Sequence, residues 1–437
     1  MGDSEDSDRR SGERARDVPP DPAETDDGDP VSSFRLGETT ADTGDPPDPG
    51  SGTGADTDGR TAGEVPTPNE LDGLFDVYEI RRDGDTVLYL GDPRASRERL
   101  ERDLWGLFND RGYDVTLQRG YTGGTVPISR GEHVLVAEPR SVGIDGVPWL
   151  NVGLFLGTVL STLFAGAFYW YQIPVLEEPL RILEAWPFTA AIIGVLGIHE
   201  LGHYVLSRYH GVQASLPYFI PVPTYIGSLG AVIKMEGRIP DRKALFDIGV
   251  AGPLAGLVAT VVVTVIGLQL DPLPAQQAAS QQAAEEGAIM FNYPPLLELI
   301  AGAVGAGGSL DGGPVHPVVF GGWVGMLVTV LNMLPVGQLD GGHILRAMVG
   351  KRAQLVARTV PALLFGLAAY LLVFRGFDSV LIWTMWGFFA LGLAYAGPAT
   401  PVDDSRLGRP RFALGVIAFV LGVLCFTPVP VEVVQSA

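Results

Sequence analysis

Apolar residues are spread unevenly along this chain, and their spacing predicts where it crosses a membrane. After about Val147 they run in segments of roughly twenty residues, the length that a helix needs to span a bilayer. The segments predicted to span are residues 149–170, 186–207, 246–268, 316–337, 357–374, 379–397 and 411–430. The sequence therefore predicts an α-helical polytopic membrane protein with about seven transmembrane helices, over residues 147–431.

Residues 71–140 show the shorter periods of a small soluble α+β domain. The stretches FDVYEI and TVLYL predict two strands around the turn at Gly84, and YDVTL and HVLVA predict two more. Between these pairs, residues 96–110 carry apolar residues at helical spacing. No catalytic set is recognisable in this domain, so the pattern assigns it no chemistry.

Residues 1–70 are predicted to form a disordered acidic tail. They contain nineteen Asp or Glu residues against six Arg, and almost no aliphatic residues from which a core could be built. The net charge of the whole chain is −20, and lysine occurs only at Lys234, Lys243 and Lys351. This composition is typical of proteins from a high-salt environment, and it predicts no nucleic-acid partner. The single cysteine, Cys425, excludes a disulfide within the chain.

The positive charges of the loops predict an orientation in the membrane. Twelve Lys or Arg residues fall in the loops after the second, fourth and sixth predicted spans, whereas the opposite loops offer only Arg181 and Arg375. Loops rich in Lys and Arg face the cytoplasm. We therefore expect a multi-pass protein of the cell membrane, with its N-terminus in the cytoplasm and the lipid bilayer as a partner.

The second predicted span contains His199-Glu200-Leu201-Gly202-His203, a match to the H-E-x-x-H motif. On a helix His199 and His203 share one face and can bind one metal ion, while Glu200 is placed to take a proton from a water molecule at the metal. The motif has only three fixed positions, so a polar helix end without metal is the alternative. Ionisable residues inside an apolar span favour a functional site.

The depth of the motif can be estimated from its position in the span. His199 lies thirteen residues after Trp186, or ~20 Å along a helix that rises ~1.5 Å per residue. In a hydrocarbon core ~30 Å thick, this leaves the histidine ~10 Å from the cytoplasmic edge. The predicted site lies inside the membrane and within reach of cytoplasmic water.

A second motif, from Asn332 to His343, ends the fourth predicted span and reads NMLPVGQLDGGH. Pro335 and the glycines are expected to break the helix there. Asp340 would approach the histidines from a neighbouring span, and a carboxylate would complete a two-histidine zinc site with a position open for water. Ordinary turn chemistry is the alternative for the Asp-Gly-Gly sequence.

Together, the two motifs resemble those of the site-2 protease family of intramembrane zinc metalloproteases. The resemblance covers about residues 194–344, and it is greatest to the branch of the EGY-like chloroplast proteases, which lacks an inserted PDZ domain. It implies one zinc ion per chain, held by His199, His203 and Asp340, with Glu200 as the general base.

The same resemblance implies weaker roles for other residues. Asn332 would help to hold the oxyanion, or would satisfy backbone groups freed by Pro335. His343 would support the ligands or help to hold the oxyanion, or would be an exposed helix-end histidine. Gly252 and Gly256 have the spacing of close helix packing. The strand-like segment 228–236 would offer an edge to an extended substrate, unless it is a loop.

The function expected from these features is hydrolysis of peptide bonds in or near transmembrane segments of membrane-bound substrate proteins. The alternative is a non-catalytic membrane scaffold or chaperone that keeps the zinc-protease fold. The predicted spans exclude a soluble metalloprotease, and no inverted repeat of broken spans indicates a transporter. Nothing in the sequence predicts the oligomeric state.

Overall fold

The computed structural model of the chain describes residues 64–122, 127–139, 147–236, 238–274, 288–310, 314–374 and 380–434. Residues 1–63, most of the predicted acidic tail, lie outside these ranges. The prediction of disorder is wrong for residues 64–70, because they pack on the small domain. The Tyr89 hydroxyl donates a hydrogen bond to the Pro66 carbonyl at 2.7 Å, and Thr67 and Glu70 form a capping box around a single 3₁₀ turn.

The small domain is a four-stranded antiparallel sheet with one helix. Its elements are β1 (Phe75–Asp83), β2 (Thr86–Pro93), α1 (Arg97–Asn109), β3 (Tyr113–Tyr121) and β4 (Ile128–Pro139), with the strand order β1-β2-β4-β3. Gly84 has φ +59° in the β1–β2 turn, a conformation that glycine adopts without strain. Helix α1 packs on one face of the sheet, where Phe108 meets Tyr89 edge to face at 5.6 Å between ring centroids. The four strands and the helix lie where the sequence pattern predicts them.

The rest of the chain is mainly helical. Its helices are α2 (Trp149–Ala165, continued by a π-helical turn to Trp170), α3 (Trp186–Tyr209), α4 (Arg242–Gln269), α5 (Pro295–Ala303), α6 (Pro317–Asn332), α7 (Asp340–Val349), α8 (Ala353–Ala357), α9 (Val360–Phe374), α10 (Val380–Ala396) and α11 (Arg409–Leu424).

Within the described residues, three stretches of helix are long and apolar enough to cross a membrane: Trp149–Trp170, Pro179–Tyr209 and Arg242–Gln269. Helices α7 and α8 together with α9 make a fourth if they count as one span bent by 52°. Helices α6 and α10 are apolar but shorter. The membrane character of the fold agrees with the sequence pattern, while the number of seven spans stays a prediction.

Helices α3, α4 and α6 pack closely around the motif-bearing part of α3. Glycines make the approach possible: a Cβ placed on Gly202 of α3 would lie 2.6 Å from the Ala251 carbonyl oxygen of α4. A Cβ on Gly322 of α6 would lie 2.0 Å from the Thr264 hydroxyl of α4. Small residues at such contacts are how membrane helices come together.

A β-hairpin lies beside α2. Strands β6 (Tyr218–Pro221) and β7 (Ser228–Val232) pair antiparallel, and the short strands β5 (Gln213–Ala214) and β8 (Met235–Glu236) pair next to them. Asn151 of α2 donates a hydrogen bond to the Leu216 carbonyl at 2.9 Å, and Ser161 of α2 donates one to the Gly227 carbonyl at 2.5 Å. The strand character predicted for segment 228–236 is therefore present. A further pair, β9 (Ala288–Phe291) and β10 (Val431–Val434), joins the last strand to the segment before α5.

Candidate metal centre

The two predicted motifs meet at the centre of the helical region. His199, Glu200 and His203 lie on α3 and are all buried, with 3–7% of each residue exposed. Asp340 is the first residue of α7, which begins after the break that Pro335 and Gly337 were predicted to cause. Gly337 takes φ +55° in this break, so the chain turns sharply between α6 and α7.

The three candidate ligands present their donor atoms to one point. His199 Nε2 lies 3.2 Å from Asp340 Oδ2, His203 Nε2 lies 3.2 Å from Asp340 Oδ1, and the two Nε2 atoms are 3.3 Å apart. Ligands ~2.0–2.1 Å from a zinc ion in tetrahedral arrangement are roughly 3.3 Å apart. The donor set and its spacing therefore fit a zinc ion with one position left open.

A backbone carbonyl orients one of the imidazoles. His203 Nδ1 lies 2.8 Å from the carbonyl oxygen of Ile248 on α4, so the proton belongs on Nδ1, which donates this hydrogen bond. Nε2 then keeps its lone pair for the metal. No sequence signal identifies this partner, because any residue supplies a carbonyl and the contact depends on how α3 and α4 pack.

Two glycines of α4 form a close-fitting wall behind the histidines. A Cβ on Gly252 would lie 2.0 Å from His203 Nε2, and a Cβ on Gly256 would lie 2.8 Å from His199 Nδ1. Both distances are too short for an alanine without movement of the rings. The glycines predicted to serve helix packing do so, and the groups that they pack against are the candidate ligands themselves.

The other predicted site residues surround this group. The amide nitrogen of Asn332, at the end of α6, lies 3.2 Å from His199 Nε2. The Glu200 carboxyl lies near the backbone N–H of Ile233, just after β7. His343 is buried on the first turn of α7, which excludes the exposed position considered for it, and its Nδ1 has no hydrogen-bond partner among the described residues. Its Cβ is 3.1 Å from where a Cβ of Gly249 would lie, so the ring sits between α7 and α4.

Comparisons with known proteins decide the family. A family model described as peptidase family M50 matches residues 187–374, a range that contains both motifs. The probable zinc metalloprotease EGY1, chloroplastic, of Arabidopsis thaliana is 34% identical over 384 residues, covering 81% of this chain and 68% of that protein. The chain belongs to peptidase family M50. This is the predicted site-2 protease family, in the predicted EGY-like branch.

For two other relatives, the chain matches a smaller share of the relative's length. The EGY1 protein of Oryza sativa subsp. japonica is 32% identical, with 81% of this chain matching 64% of that protein. The probable zinc metalloprotease EGY2 of Oryza sativa subsp. indica is 30% identical, with 78% of this chain matching 60% of that protein. No solved structure matches the chain.

Membership of family M50 and the site's geometry together confirm two predictions. The chain is a zinc metalloprotease by family, and the cofactor is zinc, for which two imidazoles and a carboxylate are a suitable donor set. Among the described residues, His199, His203 and Asp340 are the one group of three or more such side chains close enough to hold a metal ion.

Proposed function

We propose that the chain is an intramembrane zinc endopeptidase, which hydrolyses peptide bonds in or near transmembrane segments of other membrane proteins. The observation that carries the proposal is the convergence of His199, His203 and Asp340 between apolar helices, with Glu200 beside them on α3. A buried ionisable cluster of this kind is costly in an apolar setting and is kept where it has a function.

In this proposal the two imidazoles and the Asp340 carboxylate hold the zinc ion. When bound, zinc supplies Lewis acidity that polarises the scissile carbonyl and makes a water molecule more acidic. Ile248 fixes the His203 ring through its carbonyl, and Gly252 and Gly256 fix the distance between α4 and both rings. The protein thereby sets the geometry before a substrate arrives.

Glu200 carries the proton. Its carboxylate accepts a proton from the water that attacks the scissile carbonyl carbon, and the same oxygen then donates that proton to the nitrogen of the leaving amine. The C–N bond breaks as the amine departs, leaving a carboxylic acid and an amine. The Ile233 N–H lies near this carboxylate on the side of β7, where it can donate a hydrogen bond to it.

Asn332 is proposed to stabilise the oxyanion. Its amide nitrogen lies 3.2 Å from His199 Nε2, an atom whose lone pair is used once it binds a metal. The amide N–H groups then have no acceptor in that direction and can donate to the carbonyl oxygen as it gains charge. His343 is proposed to support α7 against α4 at Gly249 rather than to touch the substrate.

The hairpin beside the site suggests how a substrate would lie. Strand β7 pairs with β6 along one edge, and Ile233, the residue that follows β7, lies near Glu200. A peptide in extended conformation can add to a strand edge and expose its carbonyls, which a helix hides. We propose that a locally unwound transmembrane segment of the substrate lies along β7.

The membrane arrangement belongs to the same proposal. It comprises the seven spans predicted from the apolar segments, location in the cell membrane, and a cytoplasmic N-terminus, which follows from the loop charges. Many large apolar side chains on the outer faces of the helices are exposed, for example Leu363, Val373 and Leu381. Contact with lipid accounts for such surfaces better than contact with water.

The deciding experiment compares the peptidase with the non-catalytic scaffold that the sequence left open. Purified full-length protein would be analysed for zinc and incubated in vesicles with a reporter that carries one transmembrane segment. A peptidase cleaves the reporter, loses this activity to a chelator and regains it with added zinc. Stoichiometric zinc without cleavage, across several transmembrane reporters, would favour the scaffold.

A further inference from the structure

A second buried polar cluster lies at the end of α7 opposite to Asp340. Arg242 is the first residue of α4 and Arg346 lies in the last turn of α7; only 8% and 6% of their side chains are exposed. Arginines are rarely buried to this degree unless their charge is matched. The cluster is therefore informative about what faces it.

The protein supplies few acceptors to these two guanidinium groups. Arg242 Nε donates a hydrogen bond to the Ala347 carbonyl at 2.7 Å, and an Arg346 terminal nitrogen donates one to Asp404 Oδ1 at 2.9 Å. Each guanidinium has five N–H donors, and in the described part of the chain no further hydrogen bond is made by either. Each side-chain nitrogen of Arg242 and Arg346 that lacks a hydrogen-bond partner is at least partly exposed, so the unused donors reach solvent.

One terminal nitrogen of each arginine lies beside Gly350; that of Arg346 is the nitrogen that donates to Asp404, and it has a second N–H to offer. A Cβ built on Gly350 would lie 3.5 Å from one terminal nitrogen of Arg242 and 3.7 Å from one of Arg346. Gly350 has φ +68°, so a glycine is needed there and no side chain fills the space. The two nitrogens are therefore no farther apart than the sum of those two distances. A single tetrahedral oxyanion can bridge such a gap with hydrogen bonds of ~2.8 Å.

Positive charge is in excess at this place. Asp404 is the one carboxylate of the described residues paired with the two arginines, and Arg406 of the same loop adds a further positive charge close by. Two neighbouring carboxylates accept from backbone groups and are in no ion pair with the two arginines: Asp241 accepts from the Ala244 N–H at 2.7 Å and Asp403 from the Ser405 N–H at 3.0 Å. The charged groups that act on Arg242 most strongly are one negative, Asp404, and two positive, Arg346 and Arg406.

We propose that Arg242 and Arg346 form a binding site for a phosphate-type oxyanion, over Gly350. The two side chains are largely buried while their forked donors still reach solvent, which suits a phosphate group better than a single carboxylate. Arg242 begins one of the helices long enough to cross a membrane, a depth at which lipid phosphates lie, so the phosphate can come from an anionic lipid headgroup or from free phosphate in solution. The proposal is independent of the peptidase chemistry.

The site would link membrane composition to the metal centre. Asp340 begins α7, and Arg346 lies in the last turn of the same ten-residue helix. An oxyanion held by both arginines would fasten that end of α7 to the start of α4, the helix that carries Ile248 and Gly252. Occupancy should therefore raise the thermal stability of the full-length protein.

The test measures binding to purified full-length protein in neutral detergent at constant ionic strength. The probes are short-chain phosphatidylglycerol, short-chain phosphatidylcholine and inorganic phosphate, followed by native mass spectrometry and by the shift of the unfolding temperature. We expect phosphatidylglycerol or inorganic phosphate to bind and stabilise. The double variant Arg242→Gln, Arg346→Gln should bind the probe at least roughly tenfold more weakly.

Two further variants keep the test decisive if the double variant fails to fold. Asp404→Asn removes a half-exposed carboxylate that competes with the anion, so it should bind the probe more tightly, by about threefold or more. Arg352→Gln removes an exposed arginine nearby and should bind as the wild type does. A preference for phosphatidylglycerol over equal inorganic phosphate identifies a lipid site, and equal binding identifies a free-phosphate site. Unchanged or weaker binding by Asp404→Asn, or equal losses in Arg352→Gln and the double variant, would overturn the proposal.

Discussion

Gly252 lies against the imidazole of His203 so closely that a Cβ at position 252 would be 2.0 Å from Nε2. Gly256, one turn later on α4, stands in the same relation to His199. A residue without a side chain is thus part of the metal centre, although it offers no ligand. The absence of a methyl group allows α4 to bring the Ile248 carbonyl within 2.8 Å of His203 Nδ1.

Replacing Gly252 with alanine should therefore weaken zinc binding. The added methyl group cannot share space with the His203 ring, so the ring must turn away or α4 must move, and either change breaks the ligand geometry. We expect zinc affinity to fall by at least about tenfold, the lower range for loss of a supporting contact. Zinc content of the purified variant after dialysis against a weak chelator measures this.

The matched control for that change is Gly194→Ala, on α3. A Cβ at Gly194 meets nothing within 4 Å, and alanine favours a helix over glycine by ~1 kcal/mol. This variant should keep its zinc. Full zinc content in Gly252→Ala would show that the rings move aside freely and that the close fit has no role.

Replacing Asp340 with alanine tests the third ligand. Loss of a direct ligand should weaken zinc binding by more than the roughly 10–100-fold that loss of a supporting residue costs. Glu298→Ala, at an exposed position of α5, removes the same charge from the surface and should not change zinc content. Equal zinc in both variants would reduce Asp340 to a residue of the turn before α7.

The residues that form the candidate site could largely be predicted from the sequence, because the candidate metal ligands are side chains, whose identity the sequence shows directly. H-E-x-x-H fixes His199 and His203 on one helical face, and the break at Pro335 marks where Asp340 approaches. What packs behind the ligands could not be predicted in the same way. The carbonyl of Ile248 and the Ile233 N–H belong to the backbone, and only tertiary packing selects them.

The fold shows a similar division between strong and weak signals. Long apolar segments gave α2, α3 and α4 within a few residues of their ends, since burial or lipid contact requires the whole run. The later segments are interrupted by glycine and proline, and there the chain forms shorter helices and a 52° bend between α8 and α9. Apolar composition alone cannot separate a short spanning helix from a broken one.

Deleting residues 1–63 should leave cleavage of a transmembrane reporter unchanged. These residues hold few apolar side chains with which to contribute to a core. Deletion of residues 1–75 is the contrasting variant, because it removes Leu71 and Phe75, both fully buried in the small domain. It should lower the unfolding temperature of that domain. Loss of folded protein in the shorter deletion would show that the acidic segment has a structural role.

Glu200→Gln separates catalysis from zinc binding. Glutamine has nearly the same shape as glutamate and can still take part in a hydrogen bond, but it cannot accept the proton of the attacking water. General-base catalysis contributes ~10²–10⁴-fold, so reporter cleavage should fall by that factor. Zinc content should stay at the wild-type level, because His199, His203 and Asp340 are untouched. The fold should persist as well, since removing a buried charge relieves a cost of desolvation.

The control for Glu200→Gln is Glu298→Gln, which changes an exposed glutamate in the same way and should cleave at the wild-type rate. Comparing the two variants removes any effect of net charge on the reporter or the vesicles. A Glu200→Gln protein with full zinc and no cleavage supports a peptidase in which this carboxylate moves the proton. A variant that binds zinc and cleaves as fast as the wild type would exclude Glu200 from that role, and attention would pass to another acceptor near the ligands.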